Sequence, residues 1–254
     1  MVAQIILYNP GTLYTMTPSE NVFLPDLNKA FKEDGAWEKN EGKQQTRLFA
    51  EYFDQVITFR QQKFSLLDVG CALGQAAVFF SRRYPHAAVS ATDVSDVAIE
   101  RCRRQYGDRV HFFTGGFGKI SEFYDVIYCS NVLEHFHDCK EKLRQLAGRC
   151  QRLCCMVPYD ERARDGQELM PDPASIEHQI TFFKDSFDFL VEEGLAETVQ
   201  ATIISCPGAW GWSRRQKITH GIDNFWRKMT KRPTVNEYLQ IIFDIKTTQQ
   251  REKN

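Results

Sequence analysis

The chain has 254 residues, enough for one full α/β domain with a sizeable core and short for two independent domains. Hydrophobic residues make up 43% and charged residues 26%, a balance that argues against intrinsic disorder. Lys and Arg number 32 against 33 Asp and Glu, a formal net charge of -1, so a globally basic nucleic-acid binder is excluded and only a local patch is left open.

The apolar runs fall well short of the roughly 18 uncharged residues of a membrane span. Met1 to Pro10 has no basic region ahead of its apolar stretch, so no secretory signal is expected. The eight cysteines, at 71, 102, 129, 139, 150, 154, 155 and 206, form no C-x-x-C pair. Several fall inside apparent strands or helices, and the expectation is a reduced, cytoplasmic protein with buried thiols.

Residues 1–36 are irregular, punctuated by Pro10, Gly11, Pro18, Pro25 and Gly35, and read as a lead-in arm with a short helix near Leu27 to Lys32. Residues 43–60 carry Leu48, Phe49, Tyr52, Phe53 and Ile57 at helical spacing and predict an amphipathic helix. From Phe64 the rhythm changes. Strands are predicted at Phe64 to Val69, Ala87 to Thr92, Val110 to Phe113, Tyr124 to Cys129 and Arg152 to Val157. The helices between them are expected at Gln75 to Tyr84, Ser95 to Tyr106 with Ser95 as N-cap, and Cys139 to Gly148. Such alternation with short connections implies a parallel sheet covered by helices on both faces. Its ligands bind at the carboxyl ends of the strands, so functional residues belong just after each strand. Beyond Pro158 the pattern loosens. Residues 160–180 read as a loop insertion, Lys184 to Gly194 as a helix, and Glu197 to Ser205 and Tyr238 to Thr247 as strands.

The informative segment is Leu66-Leu-Asp-Val-Gly-Cys-Ala-Leu-Gly74. A strand ends at Val69, Gly70 and Gly74 bracket a turn, and a helix follows. Glycines there let backbone approach a ligand, and the helix N-terminus favours an anionic group. A G-x-x-x-G turn alone would be an ordinary corner, but Asp93 ends the next strand, where an acid accepts both ribose hydroxyls of a nucleoside. A dinucleotide cofactor shares this geometry. Its fingerprint, however, places glycine where this chain has Ala72, which favours a nucleoside ligand without a pyrophosphate.

Leu66-Leu-Asp-Val-Gly-Cys-Ala-Leu-Gly-Gln75 resembles the first motif of S-adenosylmethionine-dependent methyltransferases of the Rossmann-like class. The likeness continues in Ala91-Thr-Asp93-Val-Ser, in Val110-His-Phe-Phe-Thr-Gly-Gly-Phe117, and in Tyr124-Asp-Val-Ile-Tyr-Cys-Ser-Asn-Val-Leu-Glu-His-Phe136, which is close to the fourth motif of the small-molecule branch. It covers about residues 44–160. The resemblance implies a Rossmann-like, doubly wound α/β fold with a mostly parallel seven-stranded sheet, helices on both faces and the last strand reversed. It divides the chain into an arm and lid at 1–43 and a methyltransferase domain at 44–254, with substrate-cap insertions at about 160–183 and 207–235.

The same resemblance implies roles for single residues. Asp68 anchors the turn near the methionine ammonium of the cofactor, while Gly70, Cys71 and Gly74 form the wall beside its methionyl part. Asp93 binds the ribose hydroxyls, Val94 touches the adenine face, and Ser130 offers its backbone carbonyl to the ammonium. Relatives often carry an Asp where this chain has Gly116, so the adenine amino contact is expected from backbone or from Phe117. In related enzymes the segment before the first helix closes over the cofactor, which makes Gln44, Thr46 and Arg47 candidates for touching it. The solvated start of a helix is the other reading of those three residues.

The expected reaction is methyl transfer to a small molecule, an O-methylation of a sugar or secondary metabolite. Methylation of a protein or RNA, a nicotinamide-dependent oxidoreductase and a non-catalytic cofactor binder are the rivals. An oxygen acceptor is a poor nucleophile until it loses its proton, so a base helps. The candidates are His135, after the fourth strand, and His178, at the end of the loop insertion. A structural histidine bonded to backbone is the alternative for His135. Glu134, His135, His137 and His178 are plausible ligand types, yet no tight spacing demands a metal and none is expected. From 213 to 254 there are ten Lys or Arg against four Asp or Glu, beside Trp210, Trp212 and Trp226. The excess reads either as a solvated helix face and tail or as attraction to an anionic substrate or a membrane surface.

Overall fold

The computed structural model describes residues 28–32, 42–56, 63–160, 178–207 and 237–250, together with 218, 219, 222, 225, 226, 229 and 230. Helix α1 spans Gly42–Val56. Strand β1 (Ser65–Val69) leads through the glycine turn into α2 (Gln75–Arg83). Then come β2 (Ala88–Asp93), α3 (Asp96–Tyr106), β3 (His111–Thr114), β4 (Tyr124–Ser130), α4 (Cys139–Ala147) and β5 (Cys150–Pro158). A short α5 (Phe189–Glu192) precedes β6 (Ala196–Pro207) and β7 (Glu237–Thr247).

The strands form one seven-stranded sheet in the order β3-β2-β1-β4-β5-β7-β6. Neighbours from β3 to β5 pair in parallel. Strand β7 runs antiparallel to both β5 and β6, the reversed last strand that the family resemblance implied. Chain order reverses at β1, so the crevice for a ligand opens beyond the carboxyl ends of β1 and β4.

Side chains alternate across the pleat and divide the core in two. Leu66, Val126, Tyr128 and Cys154 face α1, α2 and α3, where they meet Phe53, Ala77, Phe80 and Ile99. Leu67, Val69, Ile127, Leu153 and Phe243 face α4 and the segment around α5, where Leu143, Leu146, Phe187 and Leu190 lie. Burial on both faces explains why β1, β4 and β5 read as continuous apolar runs. Ser95 caps α3 as its position predicted, its side chain accepting from the Ala98 N–H at 3.1 Å.

Two elements differ in extent from the sequence reading. The helix expected over Lys184 to Gly194 is only α5, because 184–188 fold as successive turns that carry Phe187 flat onto Phe243, with ring centroids 3.9 Å apart. The helix expected near Leu27 to Lys32 is helical only at 28–30 among the described residues. Seven of the eight cysteines lie within the described side chains, and all seven are buried and unbridged. Among the described residues no helix is long and apolar enough to cross a membrane. Most of the expected insertions, 161–177 and 208–217 included, lie outside the described residues.

Candidate active site

Three left-handed residues bend the turn after β1: Gly70 (φ 73°), Ala72 (φ 48°) and Gly74 (φ 75°). At Gly70 two requirements coincide. The backbone is left-handed, and a Cβ there would stand 2.3 Å from Val132 Cγ2 on the loop after β4. The N–H groups of Gly70 and Cys71 donate to the Thr92 carbonyl at 2.9 and 3.0 Å, which fastens the turn to the end of β2. Ala72 lacks glycine's freedom, and a left-handed residue costs about 1–2 kcal/mol. Its N–H donates to Asp93 Oδ2 at 2.9 Å, a buried charge-assisted bond that offsets this cost.

Asp93 is thus part of the turn's own scaffold. Its Oδ1 also accepts from the Ser95 N–H at 2.9 Å. Burial raises its pKa, and the N–H groups of Ser95, Ala72 and Val94 pull it back down. Asp68 is the second buried acid, 2% exposed, on the face of β1 that meets α2. Its pKa is pushed up to about 7, chiefly by burial, with the Asp93 charge adding to this and the Ala77 N–H opposing it. That N–H belongs to the first turn of α2, whose N-cap, Gly74, has no side chain to offer, so Asp68 satisfies a helix-end donor from a neighbouring strand. The other oxygen, Oδ2, is buried with no hydrogen-bond partner among the described residues. A buried carboxylate oxygen without a donor is costly and is the natural seat of a cationic group.

Cys71 lines the same turn at 1% exposure, and burial first, then the Cys102 thiol, drive its pKa well above the usual thiol range. So buried a thiol stays protonated and does not act as a nucleophile. Val94 is half-buried at the exit of β2. The turn after β3 is tied to β2 by the Gly115 N–H donating to the Asp93 carbonyl at 2.9 Å and by Thr92 Oγ1 donating to the Gly115 carbonyl at 2.7 Å. Gly116 follows in extended conformation. The Phe117 ring packs edge-on against Phe136 at 5.4 Å, with Lys142 Nζ 5.5 Å from its centroid, so the ring belongs to the core beneath α4. Ser130 ends β4, and Asn131 turns left-handed (φ 52°) with its N–H donating to the Met156 carbonyl at 2.8 Å. Among the residues expected before the first helix, Thr46 is half-buried on α1 and Arg47 pairs with Glu51 at 3.0 Å, 70% exposed; the Gln44 side chain lies outside the described residues.

Just past Asn131 a short helical turn, Leu133–His135, carries Glu134 into the interior at 0% exposure. The segment from His178 returns to it. The Gln179 N–H donates to the Glu134 carbonyl at 2.6 Å, and the Asp160 N–H donates to the Phe182 carbonyl at 3.0 Å beside the end of β5. His178 Nε2 stands 3.9 Å from Glu134 Oε1, and the His135 and His178 rings lie 5.2 Å apart at 65°. The two histidines singled out from the sequence therefore meet at the carboxyl edge, while His137 is exposed and apart.

Two features were not read from the sequence: Val132 sets the need for Gly70, and Ala72 supplies a donor to Asp93. Of the arm and lid expected at 1–43, the described segment 28–32 packs over the turn. Phe31 is 3% exposed against Ala72, Leu73 and Ala98. Asn28 Oδ1 accepts from Ser95 Oγ, and Arg101 donates to the Phe31 carbonyl at 2.7 Å.

Residues 67–155 match the family model described as a methyltransferase domain. A malonyl-[acyl-carrier protein] O-methyltransferase of Priestia megaterium is 26% identical over 106 residues, 40% of this chain and 39% of that protein. The match thus spans about two fifths of the length of that curated relative. The fold resembles the magnesium protoporphyrin IX methyltransferase of Synechocystis PCC 6803, crystallised with S-adenosylhomocysteine. That comparison gives a TM-score of 0.56 at 14% identity and covers 89% of this chain and 97% of the other. A coclaurine N-methyltransferase bound to N-methylheliamine and S-adenosylhomocysteine gives 0.53 at 16% identity, over 81% of this chain and 72% of that one. The chain carries a methyltransferase domain. Residues 67–155 carry that domain, on a fold similar to that of methyltransferases crystallised with S-adenosylhomocysteine.

Proposed function

We propose that the protein transfers a methyl group from S-adenosylmethionine to a small-molecule acceptor, at an oxygen of a sugar or secondary metabolite. One observation carries the reading: two buried carboxylates flank the glycine turn at the ends of adjacent strands, and one of them, Asp68, keeps an unpartnered oxygen. This pair fits a ligand with an ammonium at one end and a ribose diol at the other. Asp68 Oδ2 would receive the ammonium, with the Ser130 carbonyl as its second acceptor. Asp93 would hold the ribose hydroxyls and Val94 the adenine face. Gly70, Cys71 and Gly74 would line the methionyl part, and the backbone at Gly116 and Phe117 would meet the adenine edge. When bound, S-adenosylmethionine supplies a sulfonium-activated methyl group.

The acceptor side is built by His135 and His178, which assist the loss of a proton from the acceptor hydroxyl and hold it in line with the methyl group. The segment between β6 and β7 opens at the same sheet edge, since Pro207 pairs with Glu237 there and the Tyr159 N–H donates to the Leu239 carbonyl. Its sequence is rich in Lys and Arg, and its described helical positions Ile218, Ile222, Phe225, Trp226 and Met229 are all more than half exposed. Both features support an anionic acceptor with an apolar part.

Calorimetric titration tests the cofactor, with S-adenosylmethionine and S-adenosylhomocysteine expected to bind and NAD not. Incubation of the purified protein with methyl-labelled cofactor and a cell extract, followed by separation by size, tests the acceptor. Label is expected in the small-molecule fraction. Label in the protein or RNA fraction would overturn the acceptor reading, and tighter binding of NAD would overturn the cofactor reading.

A further inference from the structure

The Glu134, His135 and His178 cluster has a property that proton transfer alone does not require. One ligand-type atom from each residue lies within 4.8 Å of the other two, and the carboxylate among them has no exposed surface. His178 is 31% exposed, so the cluster is closed on the Glu134 side and open toward the crevice. We propose that Glu134, His135 and His178 bind one first-row divalent cation, whose free coordination positions face the acceptor.

Donor type supports this choice of ion. Two imidazoles and one carboxylate suit Mn²⁺, Fe²⁺, Co²⁺ or Zn²⁺, whereas Mg²⁺ and Ca²⁺ favour all-oxygen sets. Coordination at about 2.1 Å places neighbouring ligand atoms roughly 3–3.5 Å apart. The observed 3.9 Å between His178 Nε2 and Glu134 Oε1 is a small side-chain rotation from that. The frame is already braced, because the Gln179 N–H to Glu134 carbonyl bond fixes the backbone of one ligand beside the neighbour of another. Three protein ligands leave positions open, the pattern of a site that binds a reacting group and not of a closed structural site. An acceptor hydroxyl held there would lose its proton more readily, as a metal-bound water does. In that case the imidazoles act as ligands that position the acceptor, the cation lowers the hydroxyl's proton affinity, and the proton passes to water in the open crevice beside His178.

The inference rests on the proposed function only for what occupies the open positions; cation binding itself does not depend on it. The test uses chelator-treated full-length protein titrated with Mn²⁺, followed by the loss of the free-ion paramagnetic resonance signal, and in parallel with S-adenosylhomocysteine by calorimetry. The expected result is one Mn²⁺ per chain. His178→Ala should weaken it by about tenfold or more, with S-adenosylhomocysteine affinity unchanged as proof that the fold is retained. Glu134→Gln, which keeps the shape and removes the charge, should weaken it at least as much. Wild-type protein that binds S-adenosylhomocysteine but takes up no Mn²⁺, Co²⁺ or Zn²⁺ would overturn the proposal and leave the histidines as direct bases. Equal Mn²⁺ affinity in wild type and His178→Ala would overturn it too. Mn²⁺ uptake without S-adenosylhomocysteine binding would support the cation site and count against the cofactor reading instead.

Discussion

On the β1, β2 and β3 side of the crevice, nearly every group aimed at a ligand is backbone or is locked to backbone. Gly70 and Cys71 donate to Thr92, Ala72 donates to Asp93, and Gly115 donates to the Asp93 carbonyl, all within short connections. On the β5, β7 and β6 side the groups are side chains brought from distant segments, as when His178 reaches Glu134 across the end of β5. Backbone scaffolds tolerate little variation, which suits a cofactor common to the whole class. Side chains on returning loops vary freely, which suits an acceptor that differs from one enzyme to the next. Substitutions on the first side should therefore damage folding and cofactor binding together. Those on the second side should spare both.

Gly70→Ala offers the sharpest way to break that contrast. A left-handed alanine and a methyl group forced onto Val132 together should cost about 2–4 kcal/mol in urea unfolding. Gly70→Ala combined with Val132→Ala should recover the steric part and leave the conformational part. A loss under about 1 kcal/mol in the single variant would show that the turn yields easily, contrary to a rigid scaffold. Asp93→Ala comes next. It removes the acceptor for two buried N–H groups as well as the proposed ribose contact, and should weaken S-adenosylhomocysteine by about tenfold or more in calorimetry. An unchanged dissociation constant would remove Asp93 from the site.

The same contrast explains what was legible in the sequence. The parallel half announced itself because strands buried on both faces are apolar runs and because Gly70, Gly74 and Asp93 occupy fixed positions relative to strand ends. The reversed β7 came from family resemblance and not from its residues, since an alternating strand reads alike in either direction. The adenine amino contact was expected from backbone or from Phe117; the Phe117 ring packs in the core against Phe136, because a 3-10 turn after Gly116 directs it inward, which leaves the backbone for that contact. The helix expected before Gly194 was shortened by Phe187, whose stacking on Phe243 favours turns over a continuous helix. Glu134, His135 and His178 stand among the plausible ligand types in the sequence, but their proximity, and the separation of His137, do not, because sequence spacing carries no trace of a return from a distant loop.

Asp68 gives a prediction in which the sign can be worked out. An ammonium binds the carboxylate and not the carboxylic acid, and the free protein's Asp68 titrates at about 7. S-adenosylhomocysteine affinity should therefore rise about tenfold between pH 6 and pH 8, with a proton released on binding near the lower end. Stability of the unliganded protein runs the other way. The folded state holds this proton to higher pH than the unfolded chain does, so its contribution to stability falls as pH rises from about 4 toward 7. Asp68→Asn should flatten both profiles. A wild-type affinity that is level across this range would mean that Asp68 does not meet the ammonium.

The smallest effect is expected at the cover over the turn. Arg101 on α3 holds the Phe31 carbonyl at 2.7 Å, and Phe31 in turn seals Ala72 and Leu73. None of these groups belongs to the proposed cofactor contacts, so Arg101→Ala should leave the turn itself intact. It should cost about 1 kcal/mol for one lost charge-assisted bond and loosen the segment at 28–32. If that segment retains bound cofactor, the change will show in dissociation, about a fewfold faster in stopped-flow release of S-adenosylhomocysteine, with little change in association. Equal acceleration of both rates would instead mark the segment as a gate that the cofactor must displace to enter. Unchanged rates would confine the segment to packing on α3, and cofactor retention would then fall to the backbone scaffold alone.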